Sequence, residues 1–309
     1  MAAEQLQGGL DLARGPLFTA ALFRLGEDGD RLLLTAHHLV VDGVSWRVLM
    51  EDLTAVLRGL DLPPRTTSWK RWAELLAGYA RTPELAAELP YWLGVPGGPV
   101  PPLPIDQTDQ ADRTDPTDSV SVELGAMATR ALLQEAPPVY RTQINDLLLA
   151  ALARTFAAWT GESTLLVDLE GHGREEIFPG VDLSRTAGWF TTLFPVALVL
   201  PPGAGPREAI QTVKETLRAV PRRGLGYGLL RYLSADAEIE SRLGAQPAAE
   251  VGFNYLGQLD RALSESSPLS PAREPAGPPV SPRTVRAHRL EVNASVSGGC
   301  LRVSWSYGG

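Results

Sequence analysis

Leu32-Leu33-Leu34-Thr35-Ala36-His37-His38-Leu39-Val40-Val41-Asp42-Gly43 is the stretch on which the reading of this chain turns. The apolar run Leu32 to Ala36 predicts a buried strand. Two of the four histidines stand at its end, with an acid and a turn glycine behind them. An imidazole exchanges a proton at neutral pH, so acid–base chemistry is the first hypothesis. Side chains alternate along a strand, so His37 and His38 face one cavity only if the strand ends between them. One of the pair is then a catalytic candidate and the other a structural one. The competing reading is two packed, hydrogen-bonded core histidines. Asp42 can orient an imidazole or brace the loop through an arginine. A His-His-Asp metal site is the weaker alternative, because adjacent histidines rarely converge on one ion and no third ligand stands at a metal-site spacing.

Working outward, Pro16 to Leu25 and Arg31 to His37 predict two strands around the turn Gly26-Glu27-Asp28-Gly29. Val44 to Leu57 repeats apolar residues at helical spacing, as does Arg65 to Tyr79. Val95-Pro96-Gly97-Gly98-Pro99-Val100-Pro101-Pro102-Leu103-Pro104 suits neither a helix nor a central strand, and reads as a linker between a lobe at 1–104 and a lobe at 105–309. The second lobe reads as a strand at Ser119–Leu124, a helix at Thr142–Trp159 and a strand at Thr164–Leu169. A strand at Phe190–Leu200 and a helix at Pro206–Val220 follow. The chain then reads as a strand at Glu250–Tyr255 and a hairpin of His288–Ser297 with Leu301–Tyr307. Ser266 to Pro282, rich in proline, reads as a mobile surface loop. Alternating strands and helices define an α/β class.

The chain has 309 residues, 44% of them hydrophobic, enough for a large core in one domain or two lobes. A net charge of −8 without a basic block argues against nucleic acid as a partner. No apolar stretch approaches a membrane span, and Met1-Ala2-Ala3-Glu4 does not open a signal peptide. The single cysteine, Cys300, excludes an intrachain disulfide and fits a reducing compartment, so the expected location is the cytoplasm.

Two more strand ends carry chemistry. Glu170 closes the Thr164 strand and runs into Gly171-His172-Gly173-Arg174-Glu175, whose glycines let backbone approach a ligand. Taken alone, a solvated carboxylate explains it equally well. Asn254-Tyr255 ends another strand. The Tyr255 hydroxyl can donate to a substrate or a developing oxyanion, although a core tyrosine with a satisfied hydroxyl is more common. Gly224-Leu225-Gly226-Tyr227-Gly228 follows a helix and lacks a phosphate-loop pattern. Gly43-Val44-Ser45-Trp46-Arg47 lacks the second glycine of a nucleophile elbow.

His37 to Gly43 resembles the HHxxxDG signature of the condensation-domain superfamily of non-ribosomal peptide synthetases. Its continuation Val44-Ser45-Trp46-Arg47 is closer to the epimerization branch than to the peptide-bond-forming branch. Glu170-Gly171-His172-Gly173-Arg174-Glu175, Val181 to Thr191, Val213 to Tyr232 and Val251 to Gly257 are similar to further segments of epimerization domains, in the family's order.

The resemblance implies two chloramphenicol-acetyltransferase-like α/β lobes in a V-shaped pseudo-dimer, with a tunnel that takes a thioester on the phosphopantetheine arm of a peptidyl carrier protein. It implies His38 and Glu170 as the two acid/base groups, and His37, Asp42 and Gly43 as structural. Arg174 or Arg185 would brace Asp42, and Asn254 and Tyr255 would line the site. It implies no cofactor of the protein's own, no metal, and neighbouring synthetase modules as partners. Set against the family, the chain looks clipped at both ends, with an incomplete first lobe that would expose apolar surface. The expected reaction is inversion at the α-carbon of an aminoacyl or peptidyl thioester. The alternatives are amide-forming condensation and a non-catalytic domain that docks a carrier.

Overall fold

The computed structural model describes residues 2–105, 117–258, 267–277, 280–281 and 284–308. The elements run α1 (Ala2–Gly8), β1 (Phe18–Arg24), β2 (Asp30–Ala36), α2 (Gly43–Leu57), α3 (Trp69–Tyr79), α4 (Pro83–Ala86), α5 (Leu89–Leu93) and β3 (Thr117–Leu124). They continue with α6 (Ala126–Arg130), α7 (Ala136–Tyr140), α8 (Ile144–Thr160), β4 (Thr164–Gly171), β5 (Thr192–Val199) and α9 (Pro206–Ala219). The last are α10 (Leu225–Leu233), α11 (Ala237–Gly244), β6 (Val251–Gln258), β7 (Leu290–Ser297) and β8 (Cys300–Gly308).

Packing divides the chain into two compact units. One holds the described residues of Met1–Trp72, Glu176–Phe190 and Asp260–Thr284, and the other those of Ala73–Glu175, Thr191–Leu259 and Val285–Gly309. This differs from the 1–104 and 105–309 lobes read along the sequence. The proline-rich stretch 95–104 is irregular, as its composition predicts, but it belongs to the second unit. There the Leu103 amide donates to Glu250 Oε2 at 2.6 Å. Of the loop expected at 266–282, residues 267–277 and 280–281 are irregular, and 266, 278, 279 and 282 lie outside the described residues.

In the first unit β1 and β2 form an antiparallel hairpin, registered from Phe18 opposite Ala36 to Arg24 opposite Asp30. Phe18, Leu22 and Leu32 stay exposed on it. The strand ends at Ala36, one residue before the histidines. The chain then makes a single 3₁₀ turn over His38–Val40 before α2 begins.

The second unit is built on a mixed six-stranded sheet in the order β3-β8-β7-β6-β4-β5. Its parallel pairs are β4 with β6 and β6 with β7. Register sorts the side chains by face. Leu169 pairs with Phe253, Phe253 with Val292, and Tyr255 with Ala294, so these residues share one face. On that face Leu148 of α8 packs against the buried cluster Ala294, Val296 and Leu301. Asp168 pairs with Gly252, Gly252 with Glu291, and Asn254 with Asn293, which gives the other face a polar row. Helix α8 starts on a reciprocal cap, with the Gln143 amide donating to Asp146 Oδ2 at 2.7 Å. The two-residue turn at Gly298-Gly299, both at positive φ, closes the β7–β8 hairpin.

Candidate functional site

The end of β2 positions the histidine pair. His37 caps the 3₁₀ turn, its Nδ1 accepting from the Leu39 amide at 3.2 Å. Because the strand has already ended, period-two alternation does not separate the two imidazoles. The turn does, giving His37 a local capping role and leaving His38 exposed. The His38 ring meets Trp189 edge-on, with centroids 5.3 Å apart.

Asp42 is buried and caps α2. Its Oδ1 accepts from the Ser45 amide at 2.7 Å and lies 2.7 Å from Ser45 Oγ, while Oδ2 accepts from the Phe190 amide at 3.2 Å. Ser45 Oγ also accepts from the Gly188 amide at 3.0 Å. One carboxylate thus ties the turn that carries His38 to the 188–190 segment that carries Trp189. Gly43 opens α2, and a Cβ there would meet nothing within 4 Å, so neither turn geometry nor packing demands a glycine. Arg185 does not serve Asp42: its guanidinium donates to Glu51 at 2.7 Å and to Asp52.

In the second unit Glu170 is exposed at the end of β4, and Asn254 Nδ2 donates to its Oε2 at 2.5 Å. The bond spans two parallel strands and limits the carboxylate's rotamers. Tyr255, the next residue, points to the opposite face, where it packs against the Ala294–Val296–Leu301 cluster. That is the placement of an amphipathic core tyrosine. After Glu170 the chain folds locally: the Arg174 amide donates to His172 Nδ1 at 3.0 Å, and His172 Nε2 lies 3.4 Å from Glu175. The structure therefore groups His37, His38, Asp42 and Gly43 in one unit, and Glu170, Arg174, Asn254 and Tyr255 in the other.

A charged group on the polar sheet face escapes the sequence reading. His288 is 8% exposed, with Nε2 2.9 Å from Asp168 Oδ2 and Nδ1 3.9 Å from Glu291 Oε1. The hydrogen bond to Asp168, and after it the Glu291 carboxylate nearby, outweigh the desolvation of the cation and push the imidazole up to about 9. The neighbouring His288 in turn holds the Glu291 carboxyl below its usual range. The available signal is Asp168 itself, a carboxylate inside an apolar strand two residues before Glu170. Among the described residues, no group of three or more His, Cys, Asp or Glu side chains is placed to hold a metal ion. No helix among them is long and apolar enough to cross a membrane.

A mixed α/β sheet with a histidine pair closing one strand and a carboxylate closing another is the pattern expected of condensation-type domains. The chain belongs to the condensation domain family, whose model matches residues 1–309. It is 49% identical over 319 residues to chondramide synthase cmdD of Chondromyces crocatus, covering 99% of this chain and 8% of that protein. It is 40% identical over 315 residues to bacitracin synthase 3 of Bacillus licheniformis, covering 99% and 5%. The chain thus spans less than a tenth of the length of these relatives. Among solved structures, it is similar to the epimerization domain from the third module of tyrocidine synthetase B. That match has a TM-score of 0.88 and 36% identity, over 99% of this chain and 70% of that one. The α/β fold of this family is the fold expected from the sequence.

Proposed function

We propose that this chain is an epimerization domain of a non-ribosomal peptide synthetase. It inverts the α-carbon of an aminoacyl or peptidyl thioester carried on the phosphopantetheine arm of a peptidyl carrier protein. One group removes the Cα proton, leaving a planar thioester enolate, and a group on the opposite face returns a proton. His38 and Glu170 are the two groups, each contributing about 10²–10⁴ in rate as a positioned acid or base. The enolate oxygen needs a hydrogen-bond donor in the site. The observation that carries the reading is Glu170 at its strand end, held by Asn254, because amide formation needs no second acid/base there. Likeness to a solved epimerization domain at 36% identity supports the branch. On this reading the chain works in the cytoplasm beside neighbouring synthetase modules. Solvent-deuterium exchange at Cα of a carrier-loaded thioester is the test. Loss of exchange and inversion in His38→Ala and in Glu170→Gln is expected, and unchanged rates in both would refute the assignment.

Condensation is the second reading, favoured by the family to which the chain belongs. There His38 would serve an attacking amine. The product separates the two: a new amide between two carrier-bound substrates means condensation, and a change of configuration alone means epimerization.

A further inference from the structure

The segment Pro221–Tyr232 has no part in the chemistry above, yet its opening turn is a run of left-handed residues. Arg222 and Arg223 lie at φ 41° and 51° and Gly224 at φ 87°, three consecutive residues in the left-handed region. For two arginines this is costly and persists only where the surroundings impose it.

The surroundings do so from both sides. The Arg222 guanidinium donates to Glu88, a carboxylate 6% exposed, and to Glu84, and it stands 5.5 Å from the Tyr79 ring centroid. Glu88 is fixed in turn by the Trp92 indole N–H at 3.1 Å. A Cβ on Gly226 would stand 2.1 Å from Glu88 Oε2, so α10 starts directly against that buried pair.

The opposite side of the turn is the end of β4. A Cβ on Gly224 would lie 2.0 Å from the Phe194 ring, and the same ring lies 3.5 Å from the Cβ position of Gly171. The Arg223 carbonyl is 3.4 Å from that position, and Thr192 Oγ1 is 2.6 Å from it. Phe194 and Thr192 are the β5 partners of Leu169 and Gly171, the residues on either side of Glu170. Arg223 Nε reaches toward Glu175 at 3.9 Å, at the end of the segment that follows Glu170.

We propose that the left-handed turn Arg222–Arg223–Gly224 is the positioning element for Glu170, and that Arg222, clamped by Glu84 and Glu88, is its positioning residue. The turn sets the Arg223 carbonyl and, beside Gly224, the Phe194 ring at van der Waals distance from the side-chain position of Gly171, which limits how far the end of β4 that carries Glu170 can shift. This rests on the reading of Glu170 as an acid/base group.

The test uses the full chain and Arg222→Gln, Arg222→Lys, Glu88→Gln and Glu170→Gln. The first readout is amide hydrogen–deuterium exchange of peptides over 169–175. The second is the kcat and KM of Cα exchange on L-aminoacyl carrier thioesters. Arg222→Gln should raise amide exchange over 169–175 and lower kcat about 10- to 100-fold with KM within about twofold, the signature of a displaced catalytic group. Glu88→Gln should do the same, and the double variant should be no worse than either single one. Arg222→Lys, which keeps the charge but loses the fork, should fall between. Unchanged amide exchange over 169–175 in Arg222→Gln would overturn the proposal, as would an unchanged kcat where Glu170→Gln abolishes turnover. Full activity in Glu170→Gln would instead remove the acid/base reading, and the amide exchange would then decide the mechanical role of the turn alone.

Discussion

The buried His288 predicts a loss of stability at alkaline pH. Its imidazole is held near 9 in the folded chain by Asp168 and Glu291, against an ordinary value of 6.5. The folded state therefore binds one more proton than the unfolded state between those two values. The stabilisation is fully present below pH 6.5, falls at about 1.4 kcal/mol per pH unit above it, and is gone once pH has risen through 9. Over the whole window the loss is at most roughly 3 kcal/mol, with solvent screening reducing the share that comes from Glu291, whose side chain is 41% exposed. The charged groups facing the ring are Asp168 on β4 and Glu291 on β7, with Arg286 near Glu291 and Tyr227 of α10 near Asp168. The perturbation is His288→Gln, which keeps hydrogen-bonding capacity and removes the titration. Urea unfolding of both proteins from pH 6 to 10, with an NMR titration of the imidazole Cε1–H, measures the difference. Wild type should lose its advantage over the variant across pH 6.5–9, and the His288 resonance should titrate well above an ordinary histidine. Parallel stability curves, or an imidazole titrating near 6.5, would refute the reasoning.

Three further outcomes follow from the geometry. Asp42→Ala removes the α2 cap and leaves the Ser45 and Phe190 amides without that acceptor, and should cost about 2–3 kcal/mol in urea unfolding. A loss under about 0.5 kcal/mol would place its importance elsewhere. Gly188→Ala puts a methyl 2.1 Å from Trp69 Cδ1 and should destabilise by about 1–3 kcal/mol. In the same thermal-melt series, Gly43→Ala, which meets open space, should stay within about 0.5 kcal/mol. On the proposed reading, Asn254→Ala removes one hydrogen bond from the Glu170 carboxylate and should slow Cα exchange about tenfold or more, with unfolding nearly unchanged; an unaltered rate would mean that the bond does not position Glu170.

Elements whose own residues carry a periodic pattern were legible in the sequence. The helix read at 142–159 is observed at Ile144–Thr160, and the strand read at 164–169 at Thr164–Gly171. Helix α8 buries Leu149, Ala150, Leu152, Ala153 and Phe156 and leaves Ala151 exposed, while β4 is an apolar run buried on both faces at Leu165, Leu166 and Val167. The short helices α4 to α7 were not legible, because segments of four or five residues give no periodicity to count. Helix α10 was hidden by composition. Gly226 and Gly228 argue against a helix on propensity, yet Leu225, Leu229 and Leu230 bury one face and hold it in place.

The site divides along the same line. His37 and His38 follow directly on the end of β2, Asp42 caps the helix after them and Glu170 stands at the end of β4, so a sequence scan for chemistry just past apolar runs finds them. What each one touches depends on residues far along the chain. Asn254 and Tyr255 look interchangeable as site-lining neighbours until register sends them to opposite faces, one to Glu170 and the other to the Ala294 cluster. Asp168 looks like an exception in an apolar strand until His288, 120 residues on, is seen to share its proton. Gly224 is one glycine in a run with no phosphate-loop pattern until the Phe194 ring occupies the space of its missing side chain. In each case the deciding contact joins segments that the sequence keeps apart. Chemical type and strand position are local properties and can be read from one chain. The partner that converts a carboxylate into a cap, a clamp or an acid is a property of the register, and it appears only once the sheet is assembled.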